Sequence, residues 1–176
     1  MQNKKAQVWV ETVIYTLIAF VLIGAVLAFV KPKLDEFQDK SIIEQTLTAV
    51  EDINNIINSL VQGGSGNKRL LELTINKGIL NINGESDELI FEIESRYLYS
   101  EPGNDITIGS AKIKTEKKGK FNLVTTNMSY SQKYDITYDK KNINKLLNKA
   151  ATPYKIAISN DGKNNDGKTK IDFTVI

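Results

Sequence analysis

Hydrophobic and polar positions divide the chain into three stretches with different periods. From Thr12 to Val30 there are 19 consecutive positions without a charge. Behind them Leu34, Phe37, Ile43, Leu47, Val50, Ile53, Ile57, Leu60 and Val61 recur at mostly three- and four-residue steps. That period places them on one stripe of an amphipathic helix. Pro32 removes one backbone donor, so a bend is expected there. Gly63-Gly64-Ser65-Gly66-Asn67 stops the helix. Residues 68–176 then read as short strands punctuated by turns. The strand candidates are 70–75, 79–82, 89–99, 106–115, 121–127, 134–138, 154–158 and 170–176. Lys77-Gly78 and Asn83-Gly84 have the composition of hairpin turns. Residues 142–150 read as one short helix ending before Thr152-Pro153. The expected fold class is therefore α+β: a long N-terminal helix, part transmembrane and part amphipathic, followed by a mostly antiparallel β-sandwich-like domain. The expected organisation is a leader at 1–6, a helix at 7–62, a Gly-rich linker at 63–67 and a β domain at 68–176. At about 1.5 Å per residue the helix would span roughly 84 Å.

The apolar block has the length of a membrane span. A bilayer core about 30 Å thick takes about 20 apolar residues in a helix. Val8 to Val30 supplies 23, with Glu11 as the only charge. An ordinary secretory signal has an apolar region of about 7–15 residues and a small-residue cleavage site behind it. Here Lys31-Pro32-Lys33 follows instead, so the segment is expected to stay in the mature protein. A small residue, Ala6, follows Lys4-Lys5 and offers a cleavage point before the block. Glu11 has two readings. It can snorkel to the headgroups near the positive end of the helix dipole. Alternatively it pairs with a cation of a partner, for which a new ammonium on Gln7 is the candidate.

Composition removes several chemistries. The chain has no Cys and no His. Thiol chemistry, disulfides, Cys/His zinc sites and Ser-His-Asp triads are thereby excluded. Without Lys4 and Lys5 the 23 basic residues become 21, equal to the 21 acidic ones. That balance argues against a nucleic-acid footprint. No cofactor or metal site is expected, and no enzyme activity.

Lys4-Lys5-Ala6-Gln7-Val8-Trp9-Val10-Glu11 with the long apolar run behind it resembles the class III signal peptide of archaeal type IV pilin-like proteins. The match covers about the first 30 residues. The resemblance implies that a prepilin-type signal peptidase cuts between Ala6 and Gln7 on the cytoplasmic side. It implies that segment 8–30 is retained as the N-terminal half of a long helix. Glu11, fifth in the mature chain, would then neutralise the N-terminal ammonium of a neighbouring subunit. Archaellins are usually richer in Gly and Ala near the start. Trp9 and Thr12 depart from that version, which favours a pilus-type subunit over an archaellum subunit. The implied partners are further copies of the chain in a helical homopolymer, the peptidase, a pilus assembly platform with its ATPase, and membrane lipid before assembly. The implied location is a single-pass membrane precursor and then an extracellular filament. The alternative is a minor pilin, a pseudopilin or a membrane-anchored extracellular binding module that forms no bulk filaments.

The remaining motifs are weaker. Between Asp35 and Asp52 there are six acidic side chains and one basic one, Lys40, which read as a solvated helix face or as a surface meeting lysines of a neighbouring subunit. Asp161 to Gly167 has the oxygen-rich look of a calcium loop, but Lys163 takes a ligand position and no Glu closes it. A hairpin turn is the expectation. Asn127-Met128-Ser129 is the only glycosylation sequon, relevant only outside the cell. Tyr97 with Tyr99 reads as a core pair, and Glu92 with Glu94 as a shared strand face without a groove.

Overall fold

The computed structural model describes residues 3–176, with side chains from Val8 onward. It divides into two compact units, residues 1–38 and 39–176. Helix α1 (Asn3–Gly63) is continuous, and Pro32 lies inside it. The missing N–H of Pro32 leaves the Ala28 carbonyl without that ladder bond.

Of the nine-residue stripe read from the sequence, five residues are buried in the second unit, Leu47 and Val61 are half-buried there, and Leu34 and Phe37 of the first unit are exposed. Ile43, Val50, Ile53, Ile57 and Leu60 are each at most 1% exposed. Ten strands follow: β1 (Lys68–Leu73), β2 (Ile79–Asn83), β3 (Glu88–Ser95), β4 (Ile106–Ile108), β5 (Ala111–Lys118), β6 (Phe121–Ser129), β7 (Tyr134–Tyr138), β8 (Asn144–Asn148), β9 (Tyr154–Lys163) and β10 (Thr169–Val175). They form a four-stranded sheet, β1-β9-β10-β7, and a six-stranded sheet, β4-β5-β6-β3-β2-β8. All pairs are antiparallel except β7 with β10. The main core combines three layers. Val50, Ile53, Ile57 and Leu60 of α1 meet Ile136, Ile158, Ile171 and Phe173 of one sheet and Leu80, Ile82, Leu89 and Phe91 of the other. A smaller cluster joins Ile43 to Ile93, Ile113 and Val124 of the six-stranded sheet. The α+β class with a long N-terminal helix is therefore the observed one.

The segment 63–67 is a fixed helix cap. Gly64 has φ +85° and donates its N–H to Val61 O at 3.2 Å, a helix-ending conformation that glycine adopts without Cβ strain. Asn67 Nδ2 donates to the carbonyls of Gly63 and Gly64. Asn160, 3% exposed on β9, donates from Nδ2 to Leu60 O at 3.1 Å. Its backbone exchanges bonds with Gly66 and Asn67. Three of the last four helix carbonyls, those of Leu60, Val61 and Gly63, thereby gain donors.

Several local expectations are corrected. Residues 142–150 contain no helix. β8 pairs with β2 in register Ile79↔Asn148 to Asn83↔Asn144, burying Leu147 and exposing Leu146. Long-range pairing overrides the helical composition there. Lys77-Gly78 is not a hairpin, because β1 and β2 lie in different sheets. Gly78 has φ +85°, and a Cβ on it would stand 2.2 Å from the Glu92 carbonyl oxygen. Close backbone approach, not a turn, requires that glycine. The 106–115 stretch is two strands, β4 and β5, around Gly109-Ser110. The 89–99 stretch ends at Ser95. There Arg96 N–H donates to Asp39 Oδ2 at 2.6 Å, and Ser95 Oγ accepts from Tyr97 N at 2.9 Å. Asn83-Gly84 does begin the β2–β3 turn: Asn83 Oδ1 accepts from the N–H groups of Glu85 and Ser86.

Five aliphatic side chains of α1 close the core, so the second unit requires its helix. A chain starting at Gly66 is expected to aggregate on size-exclusion chromatography. One starting at Lys33 is expected to elute as a folded monomer with a cooperative melt. Ile57→Ala in the longer chain is expected to cost about 2–5 kcal/mol in urea unfolding.

Candidate functional site

The N-terminal part of α1 is the first candidate. It is long and apolar enough to cross a membrane by length and composition, and none of its most apolar window is buried. From Val8 to Val30 every side chain is exposed. The exposed large apolar residues there range from 44% at Val30 to 79% at Phe29. An exposed, all-round apolar surface suits lipid or a bundle of like helices.

The polar side chains of this stretch bond within the helix. Thr12 Oγ1 donates to Val8 O at 2.9 Å, and Thr16 Oγ1 donates to Thr12 O at 2.8 Å. Tyr15 Oη donates to Glu11 Oε1 at 3.1 Å. The hydroxyls are thus satisfied without water, as an apolar medium demands. Tyr15 carries the one contact of Glu11 that sequence reading overlooked. The signal was available, since positions 11 and 15 are one helical turn apart. Lys4, Lys5, Ala6 and Gln7, the residues assigned to processing, have side chains outside the described residues, as do Met1 and Gln2 altogether.

The acidic stretch of α1 is not uniform. Asp39 is 5% exposed; one oxygen takes Lys77 Nζ and the other the Arg96 N–H. Glu36 pairs with Lys33 at 2.8 Å and Glu44 with Lys40 at 3.7 Å. Glu44 and Asp52 are exposed, and the Glu51 carboxylate lies against Gly109. Tyr97 and Tyr99 meet edge to face, with ring centroids 6.3 Å apart. Lys40 Nζ stands 5.7 Å over the Tyr97 ring. Tyr99 packs against the smaller cluster, and burial, then the Glu44 charge, then Tyr97 raise its hydroxyl pKa. Glu92 and Glu94 are exposed on β3.

Asn127 lies within β6, between β3 and β5, opposite Ile90 and Lys112. Its Oδ1 is buried without a partner. A glycosylation acceptor usually sits on a surface loop, and a central strand is a poor substitute. Of the residues read as a turn, Asp161 to Lys163 belong to β9, and residues 164–168 close the β9–β10 hairpin. Asn164 Oδ1 accepts from Asp166 N and Lys168 N, both at 3.0 Å, and its Nδ2 donates to Asp135 Oδ2 at 3.0 Å. No cluster of three metal-ligating side chains occurs among the described residues.

No protein-family model, curated protein or solved structure matches this chain.

The 164–168 loop yields a direct test. Asn164→Ala removes three hydrogen bonds and is expected to lower stability by about 1–3 kcal/mol in urea unfolding. Millimolar calcium is expected to leave the melting temperature of the parent chain unchanged.

Proposed function

We propose that this chain is a structural subunit of a type IV pilus-like surface filament. The observation that carries the reading is the double character of α1. Residues 8–30 present an exposed apolar surface with internally bonded hydroxyls, and residues 43–60 are built into the core of the β domain. A subunit that leaves lipid for a helical bundle needs the first property. A subunit that carries a folded domain with it needs the second. Removal of 1–6 by a prepilin-type peptidase would free an ammonium on Gln7. An assembly platform and ATPase would then move segment 8–30 from lipid into the bundle. Both surroundings are apolar, so the transfer costs little hydrophobic energy. Glu11 would pair there with the Gln7 ammonium of a neighbour; buried pairs of this kind are best attested as register devices. Repeated heterologous contact without closure gives a helical filament. A membrane-anchored module that never polymerises shares the same α1, and imaging separates the two.

Lys4 and Lys5 would hold the N-terminus in the cytoplasm. Protease added to intact cells is therefore expected to digest residues 39–176, and full protection would overturn that orientation. Mass spectrometry is expected to find Gln7 as the first residue of the mature chain, and Ala6→Leu to leave uncut precursor. Electron microscopy of sheared surface material is expected to show filaments composed of this chain. Glu11→Gln is expected to be cut and inserted but to assemble poorly, since an unpaired buried ammonium costs roughly 3–5 kcal/mol. Normal filaments from Glu11→Gln, with a free Gln7 amine, would remove the pair from the assembly mechanism.

A further inference from the structure

A recess of about 460 Å³ opens within residues 39–176 where α1, the β4–β5 turn and the 130–134 turn converge. Asn54 and Asn58 of α1 line it beside Ser110, Gln132 and Tyr134. Asn54 Nδ2 donates to Ser110 Oγ at 3.2 Å, and Tyr134 Oη donates to Asn58 Oδ1 at 3.3 Å. Each bond occupies one side of an amide. The Asn54 carbonyl oxygen and the Asn58 amide hydrogens stay open for other partners. Gln132 is exposed and adds a further amide.

The deepest lining residues are less polar. Met128 is 1% exposed and Tyr130 5%. The Tyr130 and Tyr134 rings lie 5.9 Å apart. Burial, reinforced by the Glu51 charge and Tyr134, raises the Tyr130 pKa, so its hydroxyl stays protonated at neutral pH. It donates to Met128 Sδ.

This lining selects among ligand classes. No carboxylate lines the recess, which disfavours a hard cation. Lys133 is the single charged lining residue, too little for the paired or forked cations that hold phosphate. The open Asn58 donors, the open Asn54 acceptor and the Gln132 amide together suit a ligand whose neighbouring hydroxyls each donate and accept. A tyrosine ring beside them suits the C–H face of a sugar ring. The volume falls within the range of small-molecule sites, about 300–1,000 Å³.

We propose that this recess binds a short neutral saccharide, held by the amides of Asn58 and Gln132 and seated against Tyr134. The proposal uses only residues of the second unit and does not rest on the filament reading.

The test uses the full chain in an amine-oxide detergent, because sugar-headed detergents would compete. The probes are the methyl glycosides of glucose, galactose, mannose and N-acetylglucosamine, followed by saturation-transfer NMR and titration. At least one is expected to bind with a Kd of about 1 mM. Gln132→Ala and Asn58→Ala are each expected to weaken it about tenfold, and Gln38→Ala to leave it unchanged. Should circular dichroism show Asn58→Ala misfolded, the exposed Gln132 variant decides. No transfer signal from any glycoside would overturn the proposal, as would unchanged binding in Gln132→Ala. Tenfold tighter binding of glucose 6-phosphate than of methyl glucoside would overturn the neutral assignment.

Discussion

The apolar stripe of α1 from Ile43 to Leu60 is the contact on which the second unit depends. Five aliphatic side chains there are at most 1% exposed. Each contributes about 1.5–3 kcal/mol on full burial, so together they supply on the order of 10 kcal/mol. That is comparable to the whole net stability of an ordinary domain, about 5–15 kcal/mol. Two sheets facing each other without this helix would leave Ile53 and Ile57 partners such as Phe173 and Leu80 short of a wall. The helix is a third layer of the domain, and the boundary between the two units falls inside α1 at residues 38 and 39.

Buried polar groups fix where the layers stand. Asp39 binds Lys77 and the Arg96 N–H, so the start of the packed helix is tied to the end of β3. Asn160 ties the other helix end to β9. Asp87 takes the Ile136 N–H at 2.8 Å and joins the β2–β3 turn to β7, a link between the two sheets. Asp172, 3% exposed, accepts from Thr137 Oγ1 at 2.7 Å and Lys140 N at 2.6 Å. That holds the Asp139-Lys140 turn, whose residues have φ +48° and +62°. Non-glycine residues adopt such angles at a cost, and the surrounding bonds have to hold them there. Hydrophobic burial is non-directional; these acceptors supply the directions.

What was legible in the sequence follows from the range of each interaction. The helix was readable because its signals are local: a charge-free run and a three-to-four step stripe. Seven of the eight strand candidates each fall on one strand, β7 to the residue, although 89–99 overran β3 by four residues. The eighth split at Gly109-Ser110, where the turn is only as long as the two residues that make it. β8 was misread because Asn144–Asn148 has one buried leucine and no alternation long enough to show a period. Its state is set by β2, more than sixty residues earlier. The Asp139-Lys140 turn lacks the Asn-Gly or Asp-Gly signature such turns usually carry. The recess was invisible for the same reason as β8. Its walls come from residues 54, 58, 110 and 128–134, and no spacing rule connects them.

In the proposed transfer from lipid to a helix bundle, Glu11 would have to suit two apolar surroundings. A carboxylate is costly inside lipid and less so near the edge. Tyr15 offsets part of that cost by donating to Oε1, in a bond that needs nothing outside the helix. Among the described residues no helix donor reaches the other oxygen, and Glu11 is exposed. In lipid that oxygen is best served by the headgroup region, which favours a position at the membrane surface. Among packed helices headgroups are absent, and an ammonium is the strongest available donor. The Gln7 ammonium of an axially shifted neighbour would then be preferred over any position without one. In the proposed filament such a preference would fix axial register, whereas the aliphatic surface of Val8 to Val30 alone would allow many registers of similar energy.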